Sequence, residues 1–388
     1  MFVRLSLNLK KKYSKGVDNI CGMHLFLGSE LLKVHLALMF QMIFSCGLVP
    51  DIFCTGVITP VIKKGKDPSE CCSYRPITVA PVFCKLIELL VIEEIKYVCS
   101  TPDSQFGFKR NISREHVHSL LSNVLLDADA KGETVVLAGH DVRGAFDSGI
   151  HAQLLVSAFK RGLDRSIIAT YRNMYFKLKV RVRVLKNQSP TVSDFLIPVR
   201  KGIRQGALSS PPLYNNSIIE AQKTVKTWFI FRGIDLSLVN YADDILNLSR
   251  SVSGIESNFR VLSDEYANIG LEFNSSKSEV VVFNCRKKEL APVIFALGSN
   301  TVTAAASMTY LGLPIGSNLK ATRSCLINDL KEKVQKAYGM ILSCKRLYNR
   351  RILARIFNSF ATPHVLALSP FWSLFTFDDK KNNPYSVL

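Results

Sequence analysis

The chain has 388 residues, which is long enough for two or three subdomains with large cores. It carries 50 Lys and Arg residues against 31 Asp and Glu residues, and a net charge of +19 points to a polyanionic partner. The ten cysteines form neither a C-x-x-C nor a C-x-x-C…H pattern, which excludes the common zinc modules. Scattered cysteines favour reduced thiols in an intracellular protein, nuclear or cytoplasmic and not secreted.

The first strongly apolar segment runs from Ser29 to Cys46, and we predict a buried helix there. Its apolar core contains His35 and Gln41, is short for a bilayer and lies too far from the start to be a signal peptide. A transmembrane helix is the alternative for this segment.

Thr134 to Ala138 is an apolar, β-branched run that predicts a buried strand with Asp141 at its end. The apolar spacing from Ala145 to Lys160 predicts one helix that stops at Gly162. Asp147 would lie in its first turn, where a helix-dipole role is as well supported as direct chemistry.

A strand-rich stretch near 178 to 200 precedes the segment Lys201 to Asn215, in which glycines and a polar pair lead into a second helix. Glycines let a backbone approach a ligand closely, although any loop-to-helix junction has this pattern. The position of the segment between two carboxylate-bearing elements favours a functional role.

Tyr241-Ala242-Asp243-Asp244 lies between two apolar runs with room only for a tight turn, which predicts a hairpin with two carboxylates at its tip. Adjacent carboxylates repel each other unless a cation occupies the site. Together with Asp141, they form the arrangement that two-metal phosphoryl transfer requires.

After the hairpin, Gly254 to Ile269 predicts an amphipathic helix and Ser278 to Phe283 a strand, which completes a split βαβ arrangement. Residues 320 to 360 are helical, basic and amphipathic in pattern. Basic residues cluster in Lys10–Lys15, Tyr171–Lys186 and Lys345–Arg351. Such clusters are either solvated faces or, where aromatic residues lie between the charges, sites for base stacking.

The ordered motifs D-x-x-x-A-F-D, G-x-R-Q-G-x-x-x-S-P and Y-A-D-D resemble the catalytic palm of reverse transcriptases from non-LTR (LINE-type) retrotransposons. Further blocks resemble the same family over roughly residues 50 to 315: Pro60–Pro68, Tyr74–Ile77, Gln105–Phe108, Gly270–Asn274 with Lys277, and Tyr310–Gly312. His140, Pro212 and Asn111–Ser113 depart from the family pattern. Neither an endonuclease domain nor a zinc knuckle is evident, so we expect a fragment of a retrotransposon polyprotein, and a decayed copy is one alternative.

The resemblance implies an α+β, right-hand polymerase fold with fingers, a palm built on the split βαβ unit, and a partial helical thumb. The expected subdomains are 1–50, a basic helical extension; 51–135, fingers; 136–295, palm; 296–319, primer-grip hairpin; 320–375, thumb; and 376–388, tail.

The resemblance also implies the site. Asp141 and Asp243 are expected to hold two Mg²⁺ ions, for which Mn²⁺ can substitute, with Asp244 near the primer end and the Val142 carbonyl as a further ligand. The residues expected to contact the incoming nucleotide are Lys63, Arg75, Phe146, Gln205 and Lys277. Those expected to contact primer or template are Gly206, Tyr241, Tyr310, Leu311 and Gly312.

Two of these roles have competing interpretations. Phe146 is either a gate that excludes a ribose 2′-hydroxyl or a core residue of its helix. Lys277 is either a proton donor to pyrophosphate or an exposed surface lysine.

The predicted function is RNA-directed DNA polymerisation, with an RNA template, a DNA primer and deoxynucleotides as partners and no membrane association. One alternative is an inactive retrotransposon relic that binds nucleic acid without turnover. An RNA-dependent RNA polymerase is disfavoured, because that class usually has Gly-Asp-Asp and an acidic residue near the gate, where this chain has Ala242 and Phe146.

Overall fold

The computed structural model of the chain describes residues 14–98, 102–186, 189–226, 228–285, 294–297, 300–343 and 350–366. The helices are α1 Gly22–Phe26, α2 Glu30–Cys46, α3 Val82–Val98, α4 Arg114–Lys131, α5 Ala145–Ser148, α6 His151–Lys160, α7 Arg165–Phe176, α8 Ser210–Lys223, α9 Val252–Asn268, α10 Leu319–Ser343, α11 Arg350–Phe360 and α12 Thr362–Leu366. Short 3₁₀ turns cover Asp51–Cys54, Cys71–Ser73 and Ser275–Lys277.

The strands are β1 Thr55–Ile62, β2 Tyr74–Val79, β3 Val135–Arg143, β4 Lys179–Lys186, β5 Ser189–Val192, β6 Ile197–Pro198, β7 Ile230–Phe231, β8 Ile234–Asp235, β9 Leu238–Tyr241, β10 Asp244–Ser249, β11 Glu272–Phe273, β12 Glu279–Phe283, β13 Ile294–Leu297, β14 Asn300–Thr303, β15 Ser307–Tyr310 and β16 Leu313–Gly316. The chain contains both helices and strands, in agreement with the α+β prediction.

The chain forms two compact units, each assembled from separate stretches of sequence. The first unit comprises Met1–Pro102, Arg143–Ala221 and Glu265–Glu272. The second comprises Asp103–Val142, Gln222–Asp264 and Phe273–Leu388. The subdomain boundaries inferred from the sequence stay predictions.

The sheet of the first unit has the strand order β2-β1-β4-β5, with β6 paired to β4. β1 and β2 form an antiparallel hairpin in which Val61 pairs with Arg75, and β1 runs parallel to β4. The strand-rich stretch predicted near 178 to 200 is therefore confirmed as β4, β5 and β6.

Helix α2 matches the predicted segment in its bounds. The Ser29 side chain accepts a hydrogen bond from the Leu32 amide at 3.2 Å, and Gly47 ends the helix at φ +66°. The prediction that the helix is buried is wrong for most of its length: three of its seventeen residues are buried, Phe40 among them, whereas Met42 is 67% exposed. No helix among the described residues is long and apolar enough to cross a bilayer.

The single helix predicted from Ala145 to Lys160 is wrong, because the structure has two helices, α5 and α6, separated at Gly149 and Ile150. The Phe146 carbonyl accepts a hydrogen bond from the Ile203 amide at 2.6 Å, and the Gly149 carbonyl accepts one from the Gly202 amide at 2.7 Å. These carbonyls are thereby taken out of the helical ladder, and the helix breaks.

In the second unit, β10 pairs antiparallel with both β9 and β3, and β12 pairs antiparallel with the other edge of β3. Both faces of β3 are buried. Val135 and Leu137 join one apolar cluster, and Val136 and Ala138 join another. Burial on both faces explains why this strand reads as a continuous apolar run.

The helix predicted at Gly254–Ile269 is confirmed as α9, with its four apolar positions Ile255, Phe259, Leu262 and Tyr266 buried. The predicted strand at Ser278–Phe283 is β12, and α10 and α11 account for the predicted helical stretch after residue 320 where it is described. Three predicted segments lie wholly or partly outside the described residues: the basic cluster Lys10–Lys15 as far as Tyr13, the basic cluster Lys345–Arg351 as far as Asn349, and the tail.

Candidate active site

The predicted carboxylate hairpin is present in the second unit. β9 ends at Tyr241, β10 begins at Asp244, and Ala242 and Asp243 form the turn between them. Ala242 has φ +61°, a left-handed conformation that favours glycine. Tyr241 is partly buried against the apolar cluster of this unit.

Strand register brings the third carboxylate to the hairpin. Asp141 on β3 pairs directly with Asp244 on β10, and cross-strand neighbours on one face have Cβ atoms about 5 Å apart. Surrounding protein and the charges of Asp243 and Asp141 raise the pKa of Asp244 to about 6. The pKa of Asp243 is raised by burial and by the charge of Asp141. The three carboxylates therefore repel one another.

Asp141 has a cationic partner. The Lys277 Nζ lies 3.0 Å from Asp141 Oδ2, and both side chains are partly exposed. The Asp141 carbonyl accepts a hydrogen bond from the Asn274 amide at 2.8 Å, two residues before β3 ends at Arg143. Val142, the next residue, is buried.

The donors at this site suit a hard divalent cation, because carboxylate and carbonyl oxygens are the ligands that Mg²⁺ prefers. Mutual repulsion between Asp243, Asp244 and Asp141 also favours a cation. Within the described part of the chain, no three or more His, Cys, Asp or Glu side chains form a ready metal-binding group. The oxygen ligands therefore suit a divalent cation, although the described side chains do not surround a preformed binding site.

His140 replaces a residue that is apolar in the family pattern. Its ring is buried and packs against Phe259 and Phe273, with centroids 4.8 Å and 5.8 Å away. Burial lowers the pKa of His140 to about 3, so the ring is neutral at physiological pH. It acts as a core residue behind Asp141.

The predicted primer-grip segment forms the turn between β15 and β16. Leu311 and Gly312 both have positive φ, as the two central residues of a type I′ hairpin do. The Tyr310 side chain is buried, and its hydroxyl donates to the carbonyls of Val239 at 2.8 Å and Asp244 at 3.2 Å. That side chain supports the carboxylate hairpin, and contact between this segment and a primer stays a prediction.

Lys63 and Arg75 lie at one end of the β1–β2 hairpin of the first unit. Arg75 is exposed, while the Lys63 Nζ donates to the Cys72 carbonyl at 2.8 Å. An ammonium and a guanidinium placed at one hairpin end are suited to phosphate oxygens.

Phe146 and Gln205, also in the first unit, both have partners. The half-buried Phe146 ring stacks on Tyr214, with centroids 5.3 Å apart. Gln205 Nε2 donates to both oxygens of Asp147, at 2.9 Å and 3.0 Å. Asp147, which the sequence left between two roles, holds the Gln205 amide. Gly206 follows at φ +101°.

A buried ion pair that sequence reasoning missed anchors the Gln205 loop. Arg204 Nη2 lies 2.6 Å from Glu88 Oε1 on α3, and the two side chains are 4% and 0% exposed. Glu88 Oε2 accepts a hydrogen bond from the Leu208 amide at 2.9 Å, so one carboxylate holds both ends of the loop. The signal in the sequence was an acid within the apolar run Leu86–Leu90.

The basic cluster Tyr171–Lys186 divides into two parts. Tyr171 and Tyr175 on α7 are buried, which excludes base stacking for these two rings, whereas Phe176 is 89% exposed. In β4, Lys179, Arg181 and Arg183 alternate with valines. Alternate residues of a strand share a face, so these cations lie on one face of the sheet.

Residues 62–315 match the family described as reverse transcriptase (RNA-dependent DNA polymerase). The chain is 25% identical over 300 residues to the RNA-directed DNA polymerase from mobile element jockey of Drosophila melanogaster, covering 74% of this chain and 32% of that protein. It is 27% identical over 353 residues to the probable RNA-directed DNA polymerase from transposon X-element of the same organism, covering 86% and 37%.

The chain thus spans about a third of the length of these relatives. Among solved structures, apo telomerase from Candida tropicalis, truncated from its C-terminal domain, aligns with a TM-score of 0.47 at 13% identity, over 73% of this chain and 58% of that one. The family match includes the carboxylate hairpin, β3 and the Gln205 loop. The resemblance in the ordered motifs is confirmed, and this chain belongs to the reverse transcriptase family.

Proposed function

We propose that the chain adds deoxynucleotides to the 3′ end of a DNA primer on an RNA template by two-metal phosphoryl transfer. The observation that carries the proposal is the cross-strand pairing of Asp141 with Asp244 beside Asp243, in a chain of the reverse transcriptase family. Three mutually repelling carboxylates at a strand end and a turn have little structural benefit unless a cation joins them.

Asp141, Asp243, Asp244 and the Val142 carbonyl would hold two Mg²⁺ ions, with Mn²⁺ able to substitute. When bound, the ions would supply positive charge that activates the primer hydroxyl and stabilises the phosphoryl oxygens. Lys277, 3.0 Å from Asp141, would exchange that partner for the departing pyrophosphate and donate a proton to it.

The first-unit residues would bind the incoming nucleotide. Lys63 and Arg75 would contact the triphosphate, since an ammonium and a bidentate guanidinium both match phosphate oxygens. Phe146, held by Tyr214, would lie beside the sugar, and Gln205 would leave Asp147 to contact the nucleotide or template. Gly206, Tyr241, Tyr310, Leu311 and Gly312 would form the surroundings of primer and template, with Tyr310 acting through the hairpin backbone.

The test is primer extension on a homopolymeric RNA template with a DNA primer and Mg²⁺ or Mn²⁺. Asp141→Asn and Asp243→Asn should each abolish extension and leave primer–template binding intact, because each removes ligand charge without changing side-chain volume. Asp129→Asn, an exposed acid on α4, is the matched control and should extend normally.

Extension by either site variant above about a tenth of the parent rate would remove these residues from the metal site. A parent chain that binds primer–template yet fails to extend it under saturating metal would establish the inactive relic instead.

A further inference from the structure

Gln105 contacts the turn that carries the carboxylates, and it is buried, with 1% of its surface exposed. Its Oε1 accepts hydrogen bonds from the Ala242 amide at 2.9 Å and from the Gly107 amide at 2.8 Å. Its Nε2 points to the Ala242 carbonyl at 3.4 Å. One side chain therefore engages both backbone polar groups of the residue between Tyr241 and Asp243.

The backbone around Gln105 reinforces this contact. The Phe106 amide donates to the Asn240 carbonyl, and the Asn240 amide donates to the Ser104 carbonyl, each at 2.8 Å. Ser104–Gly107 thus lies alongside the last residues of β9 as a short parallel partner.

Gly107 permits this approach. A Cβ atom added there would lie 2.2 Å from the Ala242 nitrogen, closer than any side chain tolerates. The hairpin tip is therefore held on this side by the Gln105 amide and by close backbone contact at Gly107.

The tip needs such support because Ala242 has φ +61°. A positive φ is unfavourable for a residue with a Cβ atom, and such a residue keeps this conformation only where its surroundings fix it. Gln105 supplies fixed partners for both the N–H and the C=O of Ala242. Losing them would leave the buried Ala242 amide unsatisfied and release the turn.

We infer that Gln105 is a positioning residue: by fixing the left-handed turn at Ala242, it sets the direction of the Asp243 carboxylate. The inference rests on the proposed polymerase function, in which Asp243 holds metal. It also gives a physical role to the Gln105–Phe108 block, whose place in the motif order otherwise carries no chemistry.

The experiment compares Gln105→Met, which keeps the side-chain length but loses every hydrogen bond, with Gln153→Met, an exposed glutamine on α6. Single-nucleotide extension by Gln105→Met should fall about 10- to 100-fold, the usual effect of removing a group that orients a metal ligand. Primer–template affinity should not change. Gln153→Met should match the parent.

Two further readouts separate positioning from a general loss of structure. In hydrogen-exchange mass spectrometry, Gln105→Met should speed exchange in the peptide spanning residues 238–248 and leave the α3 peptide at the parent rate. Adding Ala242→Gly, which removes the backbone penalty at φ +61°, should restore most of the lost extension.

Each outcome has one meaning. Parent-like extension by Gln105→Met overturns the inference. The inference is also overturned if Ala242→Gly does not restore extension and hydrogen exchange in Gln105→Met is faster throughout the chain. A parent chain that does not extend primer overturns the proposed function, and the hydrogen-exchange comparison then still decides whether Gln105 fixes the turn.

Discussion

The buried pair of Glu88 and Arg204 offers a direct test of what holds the Gln205 loop. Glu88→Gln keeps the shape of the side chain and an acceptor for the Leu208 amide, but removes the charge. The Arg204 guanidinium would then remain charged and 4% exposed with no counterion.

The electrostatics of Arg204 indicate the direction of the effect. Burial works to lower the pKa of Arg204, and the charge of the neighbouring Glu88 works to raise it. Burial raises the pKa of the Cys84 thiol to about 12, so this thiol is neutral at physiological pH and Glu88 carries the balancing charge. Arginine does not escape by losing its proton.

Breaking one side of a buried pair destabilises a protein by about 3–5 kcal/mol. For a domain of this size, that free energy corresponds to a fall of roughly 6–20 °C in the unfolding midpoint. Glu220→Gln is the matched control, because Glu220 pairs with Arg161 at 3.4 Å while 53% exposed. Such a pair contributes at most about 1 kcal/mol.

The assay is thermal and urea unfolding of the parent, Glu88→Gln, Glu220→Gln and the double variant Glu88→Gln with Arg204→Met. The double variant should recover most of the lost stability, because no charge remains buried without a partner. Equal midpoints for Glu88→Gln and Glu220→Gln would refute the reasoning, as would a double variant less stable than Glu88→Gln.

Two other outcomes follow from the first unit. Phe146→Val should raise the ratio of ribonucleotide to deoxynucleotide incorporation about tenfold or more. The control Phe159→Val, at an exposed phenylalanine, should leave that ratio unchanged. An unchanged ratio with full extension in Phe146→Val would mean that Phe146 only packs against Tyr214. Iodoacetamide at mildly alkaline pH should label the exposed Cys71 in the native chain and label the buried Cys84 only after denaturation. Equal labelling of the two cysteines in the native chain, measured by mass spectrometry, would contradict the burial of Cys84.

The sequence predicted the parts of the site whose signals are local. The hairpin at Tyr241–Asp244 follows from two apolar runs with no room for a longer loop, and α2 follows from the apolar run between Ser29 and Cys46. The continuous apolar run before Asp141 marked a strand buried on both faces. Each of these signals lies within a few residues of the element it specifies.

The errors occurred where distant residues decide local structure. The helix from Ala145 to Lys160 breaks because amides of Gly202 and Ile203, more than fifty positions along the chain, take the carbonyls that would continue it. Helical spacing within the segment contains no trace of that competition.

The sequence by itself determined the order of the motifs, the carboxylate turn and the family, because these depend on residue identity and short-range spacing. Only the tertiary structure decided how those parts are held. Gln105 reaches Ala242 and Glu88 reaches Arg204 across more than one hundred positions of sequence, and Tyr310 closes on the carbonyl of Asp244. A polar side chain in an apolar run shows that a partner must exist, since burying it alone is unfavourable. Which group becomes that partner depends on the packing of strands and helices, and the packing is set by the whole chain.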